Sequence, residues 1–248
     1  MTELNEQNVI VTGANRGIGK VVAREFAEKG ATVGVLGRRE DAVEEAVSNL
    51  TEQTGNDDVS PVVADVSDYE ETNEAIGDWV EEHDGIHTLV NNAGVMLLEP
   101  LERADRSNLR QMVEVNLLGL MNLTHAVLPV MQEQESGHVV NVSSVAGRRA
   151  SADSSGYNAT KFGVNAFTEA VRQEVTSEGI RTTVIEPGAV DTELATHVPD
   201  EQVLERFAEM DLPMLHPDDI ARGIVYATSQ PARVDVNELL IRPTGQDI

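Results

Sequence analysis

Asn8-Val9-Ile10-Val11-Thr12-Gly13-Ala14-Asn15-Arg16-Gly17-Ile18-Gly19 decides how the rest of the chain is read. An apolar run of strand length enters a turn with three glycines, and a helical segment over 17–30 follows. Glycines at a strand-to-helix turn let the backbone approach a pyrophosphate, and the helix N-terminus stabilises its charge. The spacing is G-x-x-x-G-x-G, not the commoner G-x-G-x-x-G. Taken alone, three glycines are equally compatible with plain turn chemistry.

Working outward, short apolar runs alternate with longer amphipathic ones along the whole chain. Strands are expected at 8–12, 32–37, 61–64, 86–90, 138–142, 181–186 and 236–241, and helices near 17–30, 39–53, 68–82, 101–133, 156–178, 200–210 and 217–228. Runs such as Val139-Val140-Asn141-Val142 are continuous, as befits strands covered on both faces. Gly30 and Gly179 stand where helices should end, and Pro217-Asp218-Asp219 puts Pro and acids in a first turn. The expected fold is α/β: a Rossmann-type doubly wound parallel seven-stranded sheet with helices on both faces, a single domain over 1–248. The least patterned stretch, about 189–216, is placed to cover a ligand.

The 248 residues include no Cys, which excludes a disulfide scaffold, a thiolate metal site and a cysteine nucleophile. The six histidines include no H-E-x-x-H motif, so no metal is expected. No leader pattern opens the chain and no long apolar run interrupts it, which points to a soluble, cytoplasmic protein without a membrane partner. Against 43 acids stand only 18 Lys and Arg, a net charge of −25. Nucleic acid would be repelled. Folded-area scaling gives roughly 11,000 Å², about one net negative charge per ~430 Å². Only Lys20, Lys29 and Lys161 are lysines, a composition suited to a salt-rich cytoplasm; an ordinary acidic enzyme is the alternative.

An acid at the tip of the second strand would accept hydrogen bonds from an adenosine ribose. Here the strand 32–37 is followed by Arg38 and Arg39 instead, and Arg16 in the glycine turn can reach the same place. These arginines favour the 2′-phosphate of NADP over NAD, the alternative being plain surface arginines. Further on, strand four leads into Asn91-Asn92-Ala93-Gly94, strand five into Ser143-Ser144, and Tyr157-Asn158-Ala159-Thr160-Lys161 opens the next helix. Tyr and Lys four apart share a helical face, where the ammonium can lower the phenol pKa.

Thr12 to Gly19, Asp65-Val66, Asn91 to Gly94, Asn116, Ser144, Tyr157 with Lys161, and Pro187-Gly188 with Thr192 together resemble the short-chain dehydrogenase/reductase family over essentially the whole chain. The resemblance implies Tyr157 as proton donor to a carbonyl or as base toward an alcohol, and Ser144 on the reacting oxygen. It further implies Lys161 on the nicotinamide ribose, and Asn116 holding a water that links Lys161 to solvent. Cofactor contacts are then expected from Gly13, Asn15, Arg16, Gly17, Ile18, Gly19, Arg38, Arg39, Asp65, Val66, Asn91, Ala93, Gly94, Tyr157, Lys161, Pro187, Gly188, Val190 and Thr192.

The activity implied is an NADP-dependent carbonyl reductase or alcohol dehydrogenase. Its C-terminal stretch is similar to the subgroup acting on 3-hydroxy acids and serine-like amino acids. A 3-oxoacyl thioester reductase and a cofactor-sensing protein without catalysis are the alternatives. The family also implies a homo-oligomer, tetramer or dimer, formed through helices 101–133 and 156–178. Arg148 and Arg149, between the expected Ser and Tyr, are either a surface pair bridging to acids or an anchor for a substrate carboxylate.

Overall fold

The computed structural model describes residues 3–209 and 213–246. Residues 1, 2, 247 and 248 of the expected domain, residue 210 of the expected helix, and 210–212 of the expected covering segment lie outside the described residues.

Among the described residues, seven parallel strands form one sheet in the order β3-β2-β1-β4-β5-β6-β7. They are β1 Asn8–Thr12, β2 Thr32–Gly37, β3 Val59–Val63, β4 Thr88–Asn91, β5 Gly137–Val142, β6 Ile180–Pro187 and β7 Glu238–Ile241. The chain reverses direction across the sheet between β1 and β4, and a crevice opens there at the C-terminal strand ends. The connecting helices are α1 Gly17–Ala27, α2 Glu40–Thr54, α3 Tyr69–His83, α4 Arg106–Val113, α5 Gly119–Glu133, α6 Ser155–Val175, α7 Glu201–Glu209 and α8 Pro217–Thr228.

Period-two alternation sends neighbouring side chains of the inner strands to opposite layers. Val9, Val11, Val33 and Val35 pack with Phe26, Leu50, Ile220 and Ile224 on one face. Ile10, Leu36, Leu89 and Val139 pack with Ile76, Trp79, Leu123 and Val171 on the other. Burying these side chains contributes about 1.5–3 kcal/mol each, so the crevice rests on a stiff base.

Three expected boundaries move for identifiable reasons. β3 begins at Val59, ahead of Pro61, because an edge strand tolerates a residue without an N–H. β4 begins at Thr88 although Ile86 is buried, because Gln134 takes over the ladder. Its Oε1 accepts from Ile86 N at 2.9 Å, and its Nε2 donates to Ile86 O at 2.8 Å. The helix expected over 101–133 is a 3₁₀ turn at Leu101–Arg103, then α4 started by the Asp105 cap, then a π-helical turn at Glu114–Leu118 that passes into α5. The run Arg106–Glu133 is long and apolar enough to cross a membrane by length and composition alone, yet its apolar residues Leu123, Val127 and Met131 pack on the sheet as a core helix does.

The segment after β6 leaves and returns at a closed base. Asp191 N donates to Leu215 O and Leu215 N to Ala189 O, both at 2.9 Å. Between them lie a 3₁₀ turn at Glu193–His197 and α7, whose Val203 packs with Val198, Leu98, Met112 and Tyr157. Arg103 to Asp200 at 2.8 Å and Arg206 to Asp153 at 2.7 Å tie this segment to the rest of the domain.

Candidate active site

A cavity of about 860 Å³ follows the C-terminal ends of the strands, lined in turn by Gly13, Gly37, Asp65, Ala93, Ser144 and Gly188. At one end lies the glycine turn. Gly13 and Gly17 have φ of +63° and +54°, a left-handed region that favours glycine. A Cβ on Gly19 would sit 2.4 Å from Asn92 Nδ2 and 2.5 Å from Gly13 O, so only glycine lets α1 start this close to β4. Thr12 Oγ1 accepts from the backbone N–H of Asn92 and Ala93 at 2.9 and 2.8 Å, joining the turns after β1 and β4.

The N-terminus of α1 has neither a capping side chain nor an acid in its first turn. The first turns of α2, α3 and α8 each carry two acids. In so acidic a chain, a bare helix start facing the cavity suits an anion. Asn15, Arg16, Gly17 and Ile18 line the cavity beside it. Arg38 also lines it, 66% exposed, with Nη1 3.3 Å from Asp65 Oδ2. Burial alone would raise the Asp65 pKa, but hydrogen bonds from Ser67 and Arg38 outweigh it and hold the carboxyl below its ordinary value. Arg39 stands at the start of α2 and does not line the cavity.

The other end is built on α6. Tyr157 and Lys161 are 7% and 5% exposed, and both line the cavity. Lys161 Nζ lies 5.7 Å from the phenol ring centre and donates to Val142 O at 2.8 Å. Burial pushes the Tyr157 phenol up to about 12, and the Ser144 hydroxyl beside it pulls the other way. The lowering expected from Lys161 is therefore not what dominates here; burial does. The phenol is protonated at neutral pH and placed to donate.

Ser143 and Ser144 separate clearly. Ser143 Oγ donates to Lys161 O at 3.2 Å, whereas Ser144 Oγ accepts from Ala146 N at 3.1 Å and adjoins Tyr157.

Asn116 sits in the π-helical turn, a distortion that often marks functional positions. Its Oδ1 accepts from Val95 N at 2.7 Å, and its Nδ2 donates to Val95 O at 2.8 Å and to Thr160 Oγ1 at 3.3 Å. Its side chain thus clamps the turn after β4 to α6. Asn91, expected at the ribose, points instead into the core, donating to Asn141 Oδ1 at 2.9 Å and Thr124 Oγ1 at 3.2 Å. Its neighbour Asn92 lines the cavity, along with Val66, Gly94, Pro187, Val190 and Thr192.

The arginine pair divides. Arg148 is held by Glu186 at 2.6 Å and by Glu238, which raise its pKa further, while Arg149 lines the cavity. Motif spacing missed Asn158. It is buried beside Tyr157 and holds the loop after β5 by donating to Ala146 O and Arg149 O at 2.8 and 3.1 Å. Among the described residues, no group of three or more His, Asp or Glu is arranged to hold a metal.

Burial pushes Lys161 down to about 8. Relative to its ordinary 10.5, that is about 3 kcal/mol against the charged form. A depressed lysine pKa means this cost is fully present below pH 8 and fades as pH rises toward 10.5. Lys161→Met loses the bond to Val142, worth about 1 kcal/mol, so it should gain about 1–2 kcal/mol of stability at pH 7. The gain should shrink toward pH 10. Chemical denaturation at both pH values checks this, and a variant less stable than its parent at pH 7 contradicts it.

The short chain dehydrogenase family model matches residues 7–203. An uncharacterised oxidoreductase of Staphylococcus saprophyticus is 37% identical over 250 residues, covering 100% of both chains. The closed form of a serine dehydrogenase complexed with NADP+ superposes with a TM-score of 0.89 at 32% identity, over 97% of this chain and 96% of that one. An alcohol dehydrogenase of the archaeon Thermococcus sibiricus, complexed with 5-hydroxy-NADP, gives 0.85 at 28% identity over 98% of each chain. With the sheet order, the glycine turn and the Ser144, Tyr157 and Lys161 cluster already in place, the chain belongs to the short-chain dehydrogenase family of oxidoreductases.

Proposed function

We propose that this protein is an NADP(H)-dependent oxidoreductase that interconverts a small carbonyl compound and its alcohol, with 3-hydroxy acids and serine-like substrates within its range. The observation that carries this reading is the buried Tyr157 phenol, with Ser144 beside it, in the cavity that also receives the bare start of α1. The NADP-bound neighbours and the presence of Arg38 in place of an acid at the β2 tip support the choice of dinucleotide.

The residues present fit that cofactor. Gly13, Gly17 and the α1 N-terminus would receive the pyrophosphate, Arg38 and Arg16 the 2′-phosphate, Asp65 and Val66 the adenine, and Lys161 and Thr192 the nicotinamide half. When bound, it supplies or accepts the hydride. Ser144 donates to the substrate carbonyl oxygen and orients it toward Tyr157 Oη. Tyr157 releases its proton to that oxygen during reduction, and its phenolate takes a proton back during oxidation. The Lys161 ammonium, held by Val142 O, favours the phenolate as it forms. The cover carrying Val198 and Val203 excludes water from the phenol side.

Turnover is tested by NADPH oxidation in about 2 M KCl against a panel of aldehydes, ketones and oxo acids. Consumption dependent on a carbonyl is expected; tight NADPH binding with no turnover on any member would favour a sensing protein instead. The medium follows from the −25 charge: the melting temperature should rise steeply from low salt to about 2 M, because ~1 M salt shortens the Debye length to about 3 Å. A flat melting temperature would indicate an ordinary acidic enzyme. Exposed Leu101, Val113, Leu118 and Phe162, on and beside α4–α6, support a homo-oligomer formed through those helices.

A further inference from the structure

The loop after β5 carries two adjacent arginines in unlike situations. Arg148 is fixed by two carboxylates, one of them on Glu186, which has no exposed surface and also accepts from Asn165 Nδ2 at 2.8 Å. Arg149 lines the cavity, and among the described residues its guanidinium has no hydrogen-bond or ion-pair partner. The other arginines in the cavity wall are paired, Arg16 with His197 at 2.9 Å and Glu193 at 3.7 Å, and Arg38 with Asp65.

The position of Arg149 is built. The carboxamide of Asn158 donates to Arg149 O and Ala146 O and accepts from Ser151 N at 3.2 Å. Asn158 follows Tyr157 directly, so the loop bearing the guanidinium is held by the same helical turn that bears the phenol. The same cavity is lined by the apolar Met96, Leu98, Val145 and Leu194, and the acids lining it, Asp65 and Glu193, are both paired to other arginines. In a chain of net charge −25, an exposed, unpaired cation in the wall of the proton donor's cavity offers an anion a favourable local site against a repulsive whole.

We infer that Arg149 is the anchor for a substrate carboxylate, so that oxo acids are preferred over their uncharged counterparts. The inference rests on the proposed oxidoreductase reading. Arg149, Ser144 and Tyr157 line one cavity, so the carboxylate and the carbonyl of one substrate can be held in it together. In the reduction, the carbonyl carbon gains a hydride from the reduced nicotinamide, and its oxygen gains the Tyr157 proton. The products are the hydroxy acid and the oxidised dinucleotide.

The test compares acetoacetate with methyl acetoacetate, using NADPH at fixed salt, in the parent, Arg149→Gln and Arg149→Lys. The ratio of kcat/KM for acid over ester should fall at least ~10-fold in Arg149→Gln, mainly through KM, and recover in part in Arg149→Lys. An unchanged ratio in Arg149→Gln overturns the anchor. So does a parent enzyme that reduces simple ketones but neither of these compounds, an outcome that leaves the oxidoreductase reading standing. A parent that reduces no carbonyl at all removes that reading, and the anchor with it.

Discussion

Tyr157→Phe is expected to fold, to bind NADPH with parental affinity and to lose at least ~100-fold in turnover, because it removes the one oxygen that transfers the proton and little else. The ring lies in the apolar cluster with Leu98, Met112, Val198 and Val203, and phenylalanine fills the same volume, so the cover should still dock. Removing the hydroxyl also removes a buried polar group, so stability should hold or rise slightly. Retention of more than a tenth of the activity would show that another group donates the proton. Dinucleotide binding measured by NADPH fluorescence separates a catalytic loss from a folding defect.

The second large effect belongs to the tip of β2. The parent should prefer NADPH over NADH by at least ~10-fold in kcat/KM, since a charge-assisted contact from Arg38 to a 2′-phosphate contributes at least ~1.4 kcal/mol. Arg38→Asp removes that contact and supplies a carboxylate where ribose hydroxyls would donate, so the preference should reverse. It also frees Asp65, whose Oδ2 now lies 3.3 Å from Arg38 Nη1, and adds repulsion against any phosphate there. Equal use of both dinucleotides by the parent would remove the role given to Arg38.

The parts of this protein that could be read from the chain are those set by local spacing. The glycine turn, the Tyr157 and Lys161 pair and the alternation of strand and helix depend on residues within a few positions of one another. What escaped depends on partners far along the chain. Nothing near Ile86 announces that Gln134, 48 residues later, replaces its ladder bonds. The register Val11↔Val90 turns Asn91 into the core and Asn92 toward the glycine turn, and two consecutive asparagines carry no local mark of that difference. Arg148 and Arg149 looked equivalent because the acids that separate them, Glu186 and Glu238, lie on β6 and β7. The partners of Asn158 are only 7 to 12 residues away, but the loop that brings them back onto it has no periodic pattern to announce the contact.

The most direct measurement follows the hydride itself. NADPH carrying deuterium at C4 of its nicotinamide is incubated with a reducible ketone and the protein, and the alcohol is analysed by mass spectrometry. The parent should place one deuterium on the carbinol carbon, and Tyr157→Phe should form the same labelled product at least ~100-fold more slowly. An alcohol without deuterium, NADPH consumption that does not depend on the ketone, or a Tyr157→Phe rate equal to the parent's would contradict hydride transfer in this cavity with Tyr157 as the proton donor.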